Sequence, residues 1–339
     1  MDAMHARTIA WLAASLLLAV EFACGSSSDG GPVGVTVKTQ AASPAPPAGE
    51  AGETEAVTPR PTREPRLVSL AWLTMDMAIP DLPAAFAAPV ADAALQARVE
   101  SAITGAEGSY SVVVHNLEDG RYAAVNESQV YYAASLFKLS ILLEVYKQRE
   151  ALELDFAQLL TLDEEHTQND LGTLSLLDLQ PGDSLTLQDA VNAMIVVSDT
   201  SAATLLQDLV GGARADETLR SLGLADTEFN NRALPTTARD MARLLEAVAA
   251  GEGVSEASRR EMLSLLLQEE FRQGIPAGVP EDTAVAHKTG SFDEATHDVA
   301  LVWGPGGAYV IVVMTDRPQT WERIAAVSAA VWDYFGQNP

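Results

Sequence analysis

Residues 285–314 read VAHKTGSFDEATHDVALVWGPGGAYVIVVM. Three strand-like runs stand out in this stretch: Val285 to Lys288, His297 to Trp303 and Tyr309 to Met314. Gly290, just after the first of them, has no side chain to block a substrate laid along a sheet edge. Trp321 to Phe335 follows with the spacing of a terminal amphipathic helix. Upstream, Leu95, Val99 and Ile103 recur every four residues and predict a helix with one buried stripe. Ser109 to Asn116 and Tyr122 to Asn126 flank Glu118-Asp119-Gly120, which predicts a hairpin. Between these ends lie Leu136 to Tyr146, Leu187 to Val197, Ala202 to Leu209, Ala215 to Leu222 and Thr237 to Ala249, all at helical spacing and separated by Gly, Pro or Asp breaks. The fold expected is therefore α+β: an antiparallel sheet built from both chain ends with flanking helices, plus an all-helical lobe. The interface of the two is the natural place for a site. This domain is expected to run over 91–338, with no internal repeats.

A chain of 339 residues, 47% hydrophobic, holds enough apolar material for one large core or two medium domains. Its formal net charge of -26 repels phosphate backbones, which argues against a nucleic-acid partner. Cys24 is the single cysteine, so neither an intrachain disulfide nor a cysteine-based zinc site can form. Arg7 begins a basic region, Thr8 to Val20 is uncharged and mostly apolar, and Ala23 stands before Cys24, the layout of a secretory signal over 1–24. The apolar run is too short to span a bilayer. Residues 25–66, rich in Gly, Ser, Pro, Ala and Thr, read as a disordered tether. Residues 67–90 are apolar again but broken by Pro80 and Pro83, and suit either a segment packed on the domain or a pro-segment.

Only four lysines occur: Lys38, Lys138, Lys147 and Lys288. Ser135-Leu136-Phe137-Lys138 opens an apolar helix, and three-residue spacing puts hydroxyl and amine on one helical face, within hydrogen-bond reach. A serine hydroxyl needs a base at neutral pH. A partly desolvated lysine near a second cation loses its proton readily enough to serve. Alone, the Ser-x-x-Lys spacing is weak, arising by chance in about one such chain in four. Lys288-Thr289-Gly290 is more specific, expected in about one or two such chains per hundred. Ser198-Asp199-Thr200 closes the helix Leu187 to Val197, where a Ser-Asp pair is by itself more often a cap than a catalytic feature.

Together and in this order, the three elements resemble those of the penicillin-recognising serine enzymes, specifically the class A β-lactamases. The resemblance covers most of the chain, from Leu95 to Phe335. It extends to Met194-Ile195-Val196-Val197, Thr236-Thr237-Ala238-Arg239-Asp240-Met241 and His297-Asp298-Val299-Ala300. It implies that Ser135 is the acylated nucleophile, Lys138 its base, and Ser198 a proton relay to the leaving nitrogen. It further implies that Thr200, Lys288 and Thr289 bind substrate, the last two through its carboxylate. The backbone N–H groups of Ser135 and Ser291 would form an oxyanion hole. The substrate implied is a β-lactam or a peptidoglycan-derived molecule, met without cofactor or metal by a monomer. Gly25-Ser26-Ser27-Ser28 resembles the spacer after the lipidated cysteine of bacterial lipoproteins. Cys24 lipidation and a place on the outer face of the cytoplasmic membrane are thus implied, with ordinary signal cleavage and an extracellular or periplasmic protein as the alternative because Glu21 and Phe22 depart from the lipoprotein pattern.

Two further departures bear on chemistry. Thr200 stands where the family usually has asparagine. The segment Leu224 to Thr236 is shorter than the family's loop and lacks its Glu-x-x-x-Asn spacing, leaving Glu228 as the nearest candidate for a deacylation base. Without such a base an acyl-enzyme persists, the behaviour of a D-alanyl-D-alanine peptidase or slow-deacylating penicillin-binding protein. A tethered cell-wall binding or sensor module is the non-enzyme alternative. His115, His166, His287 and His297 show no metal-ligand spacing, and Trp303, Trp321 and Trp332 are expected in the core.

Overall fold

The computed structural model describes residues 64–70, 77–168 and 179–338, all within one compact unit spanning 61–339. The signal over 1–24, Cys24 and all but the end of the tether lie outside the described residues.

The chain carries two short strands, β1 (Leu67–Val68) and β2 (Val90–Ala91), before helix α1 (Ala93–Ile103). Asp92 starts α1 by accepting from the N–H groups of Ala94 and Leu95, donors that a helix N-terminus leaves without partners. Strands β3 (Tyr110–Asn116) and β4 (Arg121–Val125) form the expected hairpin. Asn116 Oδ1 accepts from the N–H groups of Glu118 and Asp119, which fixes the turn between them. Next come β5 (Tyr131–Tyr132), a 3-10 turn (Ala134–Leu136) and helix α2 (Phe137–Glu150). The middle of the chain holds β6 (Leu159–Thr161), α3 (Glu164–Gln168), β7 (Ser184–Thr186), α4 (Leu187–Val196), α5 (Thr200–Val210) and α6 (Gly212–Ser221). It ends with β8 (Pro235–Thr236), α7 (Ala238–Ala250) and α8 (Glu256–Leu267). The chain then returns to strands, β9 (Val285–Phe292), β10 (Ala295–Gly304) and β11 (Gly307–Thr315), and finishes in α9 (Trp321–Gln337).

The main sheet has the order β2-β4-β3-β11-β10-β9. All its pairings are antiparallel except the short β2–β4 contact. Register places Val113 against Val312 and Lys288 against Val299. The α+β architecture expected from both chain ends is thus present, with one parallel pair at the edge. Alternate residues serve two cores, as a strand period of two requires. Val112, Val114, Ile311 and Val313 face α1 and α9, whereas Val113, Val310, Val312 and Met314 face the helical lobe. Burial on both faces is why these strands read as continuous apolar runs rather than alternating ones.

Helix α2 runs through the lobe with Leu139, Ile141, Leu142, Leu143, Val145 and Tyr146 all buried. Leu142→Ala is expected to cost about 2–5 kcal/mol through lost burial and a residual cavity, read as a lower midpoint in urea unfolding. The segment left open between packing and pro-segment does pack on the domain where it is described. β1 pairs in parallel with β7, Leu70 is buried and donates its N–H to Asp189 Oδ1 at 3.1 Å, and Ala87 N–H bonds Leu117 O. Arg66, assigned to the tether by composition, donates its N–H to Asp183 Oδ1 at 2.8 Å. Backbone groups make most of these contacts, which is why no side-chain period announced them. Among the described residues no helix is long and apolar enough to cross a membrane.

Candidate active site

The turn 133–136 is pinned from three sides. Strand β5 before it pairs with β8, and the N–H of Ala133 bonds Leu234 O at 2.8 Å. His297 Nε2 donates to Tyr132 O at 2.9 Å while its Nδ1 accepts from Thr315 N–H at 3.3 Å. Burial holds this imidazole neutral, its pKa pushed down to about 4. The third contact is Gly290 on the edge strand β9. A Cβ there would sit 3.0 Å from Ala133 O and 3.1 Å from Leu136 Cγ. The glycine thus lets the strand approach the turn. Ala134 adopts φ 45°, a left-handed conformation that a non-glycine residue holds only under constraint, immediately before Ser135.

Ser135 and Lys138 meet as their spacing predicts. Lys138 Nζ lies 3.1 Å from Ser135 Oγ, 3.2 Å from Ser198 Oγ and 2.6 Å from Ser198 O. The Ser198 contacts follow from its backbone. At φ 53° the residue turns the chain sharply between α4 and α5, directing carbonyl and hydroxyl at one amine. Asp199 caps α5, its carboxylate accepting from Ala202 N–H. The Ser-Asp pair is therefore both a cap and a contributor to the site. Lys138 is fully buried. Burial first, then the positive charge of Lys288, brings its pKa down from 10.5 to about 7, against the opposing pull of Asp199 and Glu269. Near neutral pH a large share of this amine carries a lone pair instead of a third proton.

Ser135 opens onto a groove of about 240 Å³ that Ser198, Thr200, Thr289 and Ser291 also line; Lys138 is buried behind Ser135 and bonded to it, whereas Lys288 and Glu228 do not line the groove. Lys288 is adjacent but fully buried, and is not exposed to the groove. Its Nζ lies 2.5 Å from Glu269 Oε1. The ammonium that the resemblance assigns to a substrate carboxylate is thus paired with a carboxylate of the protein itself. Glu228 is exposed, accepts from Asn231 Nδ2 at 2.6 Å, and does not line the groove. The loop that carries it folds back onto the lobe: Phe229 N–H donates to Asp216 Oδ1, and Asp240 Oδ2 accepts from Asp226 N–H and Thr227 Oγ1. Among the described residues no Asp or Glu lines the groove.

Sequence reasoning missed Glu269, Phe271 and Trp321. Trp321, expected in the core, is half-buried against it and also joins Tyr132, Phe137, Phe271 and Phe292 as the groove's aromatic wall. Glu269 sits just beyond α8, a helix that the sequence reading passed over although Ser255 caps it. No side-chain pattern linked that carboxylate to Lys288. His287 Nδ1 lies 3.1 Å from Asp298 Oδ1 and 3.5 Å from Glu269 Oε2, all three groups fully buried. Asp298 also accepts from Ile275 N–H. Among the described residues no group of three or more His, Cys, Asp or Glu is arranged to hold a metal ion.

A profile described as "Beta-lactamase enzyme family" matches residues 94–335. The chain is 30% identical over 236 residues to "Beta-lactamase L2" of Stenotrophomonas maltophilia, covering 64% of this chain and 76% of that one. Among solved structures, "Structure of PBP-A" aligns with a TM-score of 0.70 and 26% identity, covering 74% of this chain and 99% of the other. A β-lactamase from Sphaerobacter thermophilus aligns with a TM-score of 0.66 and 26% identity, over 72% and 97%. A serine and a lysine poised at the junction of an antiparallel sheet and a helical lobe, within a match spanning most of the folded chain, place this protein in the β-lactamase enzyme family.

Proposed function

We propose that this protein is a serine acyl-transferring enzyme that opens β-lactam amides through an acyl-enzyme on Ser135 and releases the product slowly. The observation that carries the reading is the hydrogen-bonded trio Ser135, Lys138 and Ser198 around one buried amine. The lone pair of neutral Lys138 takes the Ser135 proton as Oγ attacks the amide carbonyl. Backbone N–H groups of Ser135 and Ser291 hold the developing oxyanion. The proton then passes by way of Ser198 Oγ to the leaving nitrogen, the C–N bond breaks, and Ser135 is left as an ester. Thr200 and Thr289 orient the substrate from the groove wall.

Hydrolysis of that ester needs an activated water. The placement of Glu228 away from the groove, and the lack of an acidic residue among the described groove lining, support slow deacylation. A PBP-A variant solved as an acyl-enzyme complex with penicillin-G is a structural neighbour of the chain at 26% identity. The curated β-lactamase relatives favour a second reading, efficient turnover. The secretory layout ending at Cys24 supports action outside the cytoplasmic membrane, tethered by a lipid or released.

Intact-mass measurement over time after addition of benzylpenicillin decides between the readings. A single adduct, formed within minutes and lasting for hours, is expected, and Ser135→Ala is expected to show none. Rapid loss of the adduct with product accumulation would establish turnover. Neither adduct nor product with the wild-type protein would refute both.

A further inference from the structure

A second cavity, of about 930 Å³, adjoins the groove. It runs between the loop after α1 and the segment 317–323 that leads into α9. Trp321 lines both cavity and groove, so the two meet at that side chain.

Local structure sets the side chains of this cleft in place. Gln319 is held at φ 55°, a left-handed conformation that a non-glycine residue keeps only under constraint, and its Oε1 accepts from Trp321 Nε1 at 3.3 Å. The indole is oriented by that bond. Gly108, at φ 86°, lacks a Cβ where one would sit 2.5 Å from Arg317 Cγ, so the arginine stem can cross it. Arg323 donates through Nη1 to Ala102 O at 2.9 Å, which leaves its other N–H groups for a ligand.

The chemistry of the lining narrows what can bind. Arg317 and Arg323 stand with Glu107 and Glu322, and among the described residues none of the four makes an ion pair with another side chain. Arg121, Arg149, Arg214 and Arg239, by contrast, all do. Two cations and two carboxylates give the cleft no net sign. A phosphate would meet the carboxylates and a polyamine the guanidinium groups. Uncommitted donors and acceptors beside an aromatic face suit instead a neutral ring that is apolar on its flat sides and hydroxylated around its edge, each hydroxyl both donating and accepting. That is a sugar, and the volume suits several linked units better than one.

We infer that this cleft binds a neutral oligosaccharide, with ring faces against Trp321 and hydroxyls bonded to Glu107, Arg317, Glu322 and Arg323. A glycan seated there lies beside the groove, so the enzyme meets acyl donors that are attached to sugar. The saccharide site stands independently of the acyl-enzyme reading; its link to acyl donors rests on that reading.

The test uses the full chain with its five tryptophans 15N-labelled, and follows the indole signal of Trp321, identified by its loss in Trp321→Phe. The probe is the linear tetramer of N-acetylglucosamine. It is expected to shift that signal saturably, with a Kd of about 1 mM or tighter, and equally in wild type and Ser135→Ala. Glu107→Ala combined with Arg317→Ala, both at exposed positions, is expected to weaken binding by at least about tenfold. No shift at about 10 mM tetramer, or equal affinity in the double variant, overturns the inference. A sugar-free D-alanine peptide whose binding the double variant weakens by as much would make the cleft a peptide site and overturn it as well.

Acylation of Ser135 by benzylpenicillin is expected to move the same indole signal, since Trp321 also lines the groove. A signal that answers the sugar and not the acyl group overturns the link to acyl donors. If intact mass shows that Ser135 is never acylated, the acyl-enzyme reading fails alone, and the sugar titration still judges the cleft.

Discussion

Lys138→Ala is expected to slow acylation of Ser135 on the order of 10³-fold, within the range that a positioned general base contributes. The expectation follows from the crowding of one amine by Ser135 Oγ, Ser198 Oγ and Ser198 O. A fully protonated ammonium would only donate to these oxygens; a neutral amine has a lone pair free to receive the serine proton. The sign of the pH dependence is fixed by the same argument. Burial and the charge of Lys288 bring the Lys138 pKa down to about 7. Acylation by an uncharged ester should therefore fall about tenfold per pH unit below that value and level off above it. Lys138→Ala should lose the dependence along with the rate. Stopped-flow acylation of both proteins by a β-lactam ester checks magnitude and slope together.

The second large effect is on stability. Lys288→Ala would leave Glu269 buried near Asp298 without its ammonium, and breaking a buried pair from one side costs about 3–5 kcal/mol. For a domain of this size, melting is expected to fall on the order of 10 °C. Replacing both members, as in Lys288→Met with Glu269→Met, removes the unpaired charge and is expected to recover most of that loss. Differential scanning calorimetry of the single and double variants measures both steps. A single variant that melts with the wild type would contradict the pairing.

The sheet and most of the lobe were legible because their residues obey simple periods. Val112 to Val114 and Tyr309 to Met314 could be read as strands without knowing their partners, and α2, α4 and α7 announced themselves by helical spacing. Ser135 and Lys138 were legible for the same reason: one turn of helix fixes their separation. Glu269 was not, since its meaning depends on the end of α8 packing against β9, a long-range contact that no local pattern encodes. Trp321 was legible only as core, against which it does pack half-buried; the approach of α9 to the groove gives it its place in the wall. Gly290 was noticed but given a different reason. Its missing side chain admits the Ala133–Leu136 turn, which brings sheet edge and nucleophile together.

The most direct test of the account is to digest the protein after brief exposure to benzylpenicillin and identify the modified peptide by tandem mass spectrometry. The added mass is expected on the peptide containing Ser135, at that serine, and to vanish when Lys138 is replaced and the exposure kept equally short. Modification at Ser198, at Ser291 or at any residue outside the groove, with Ser135 unmodified, would contradict it.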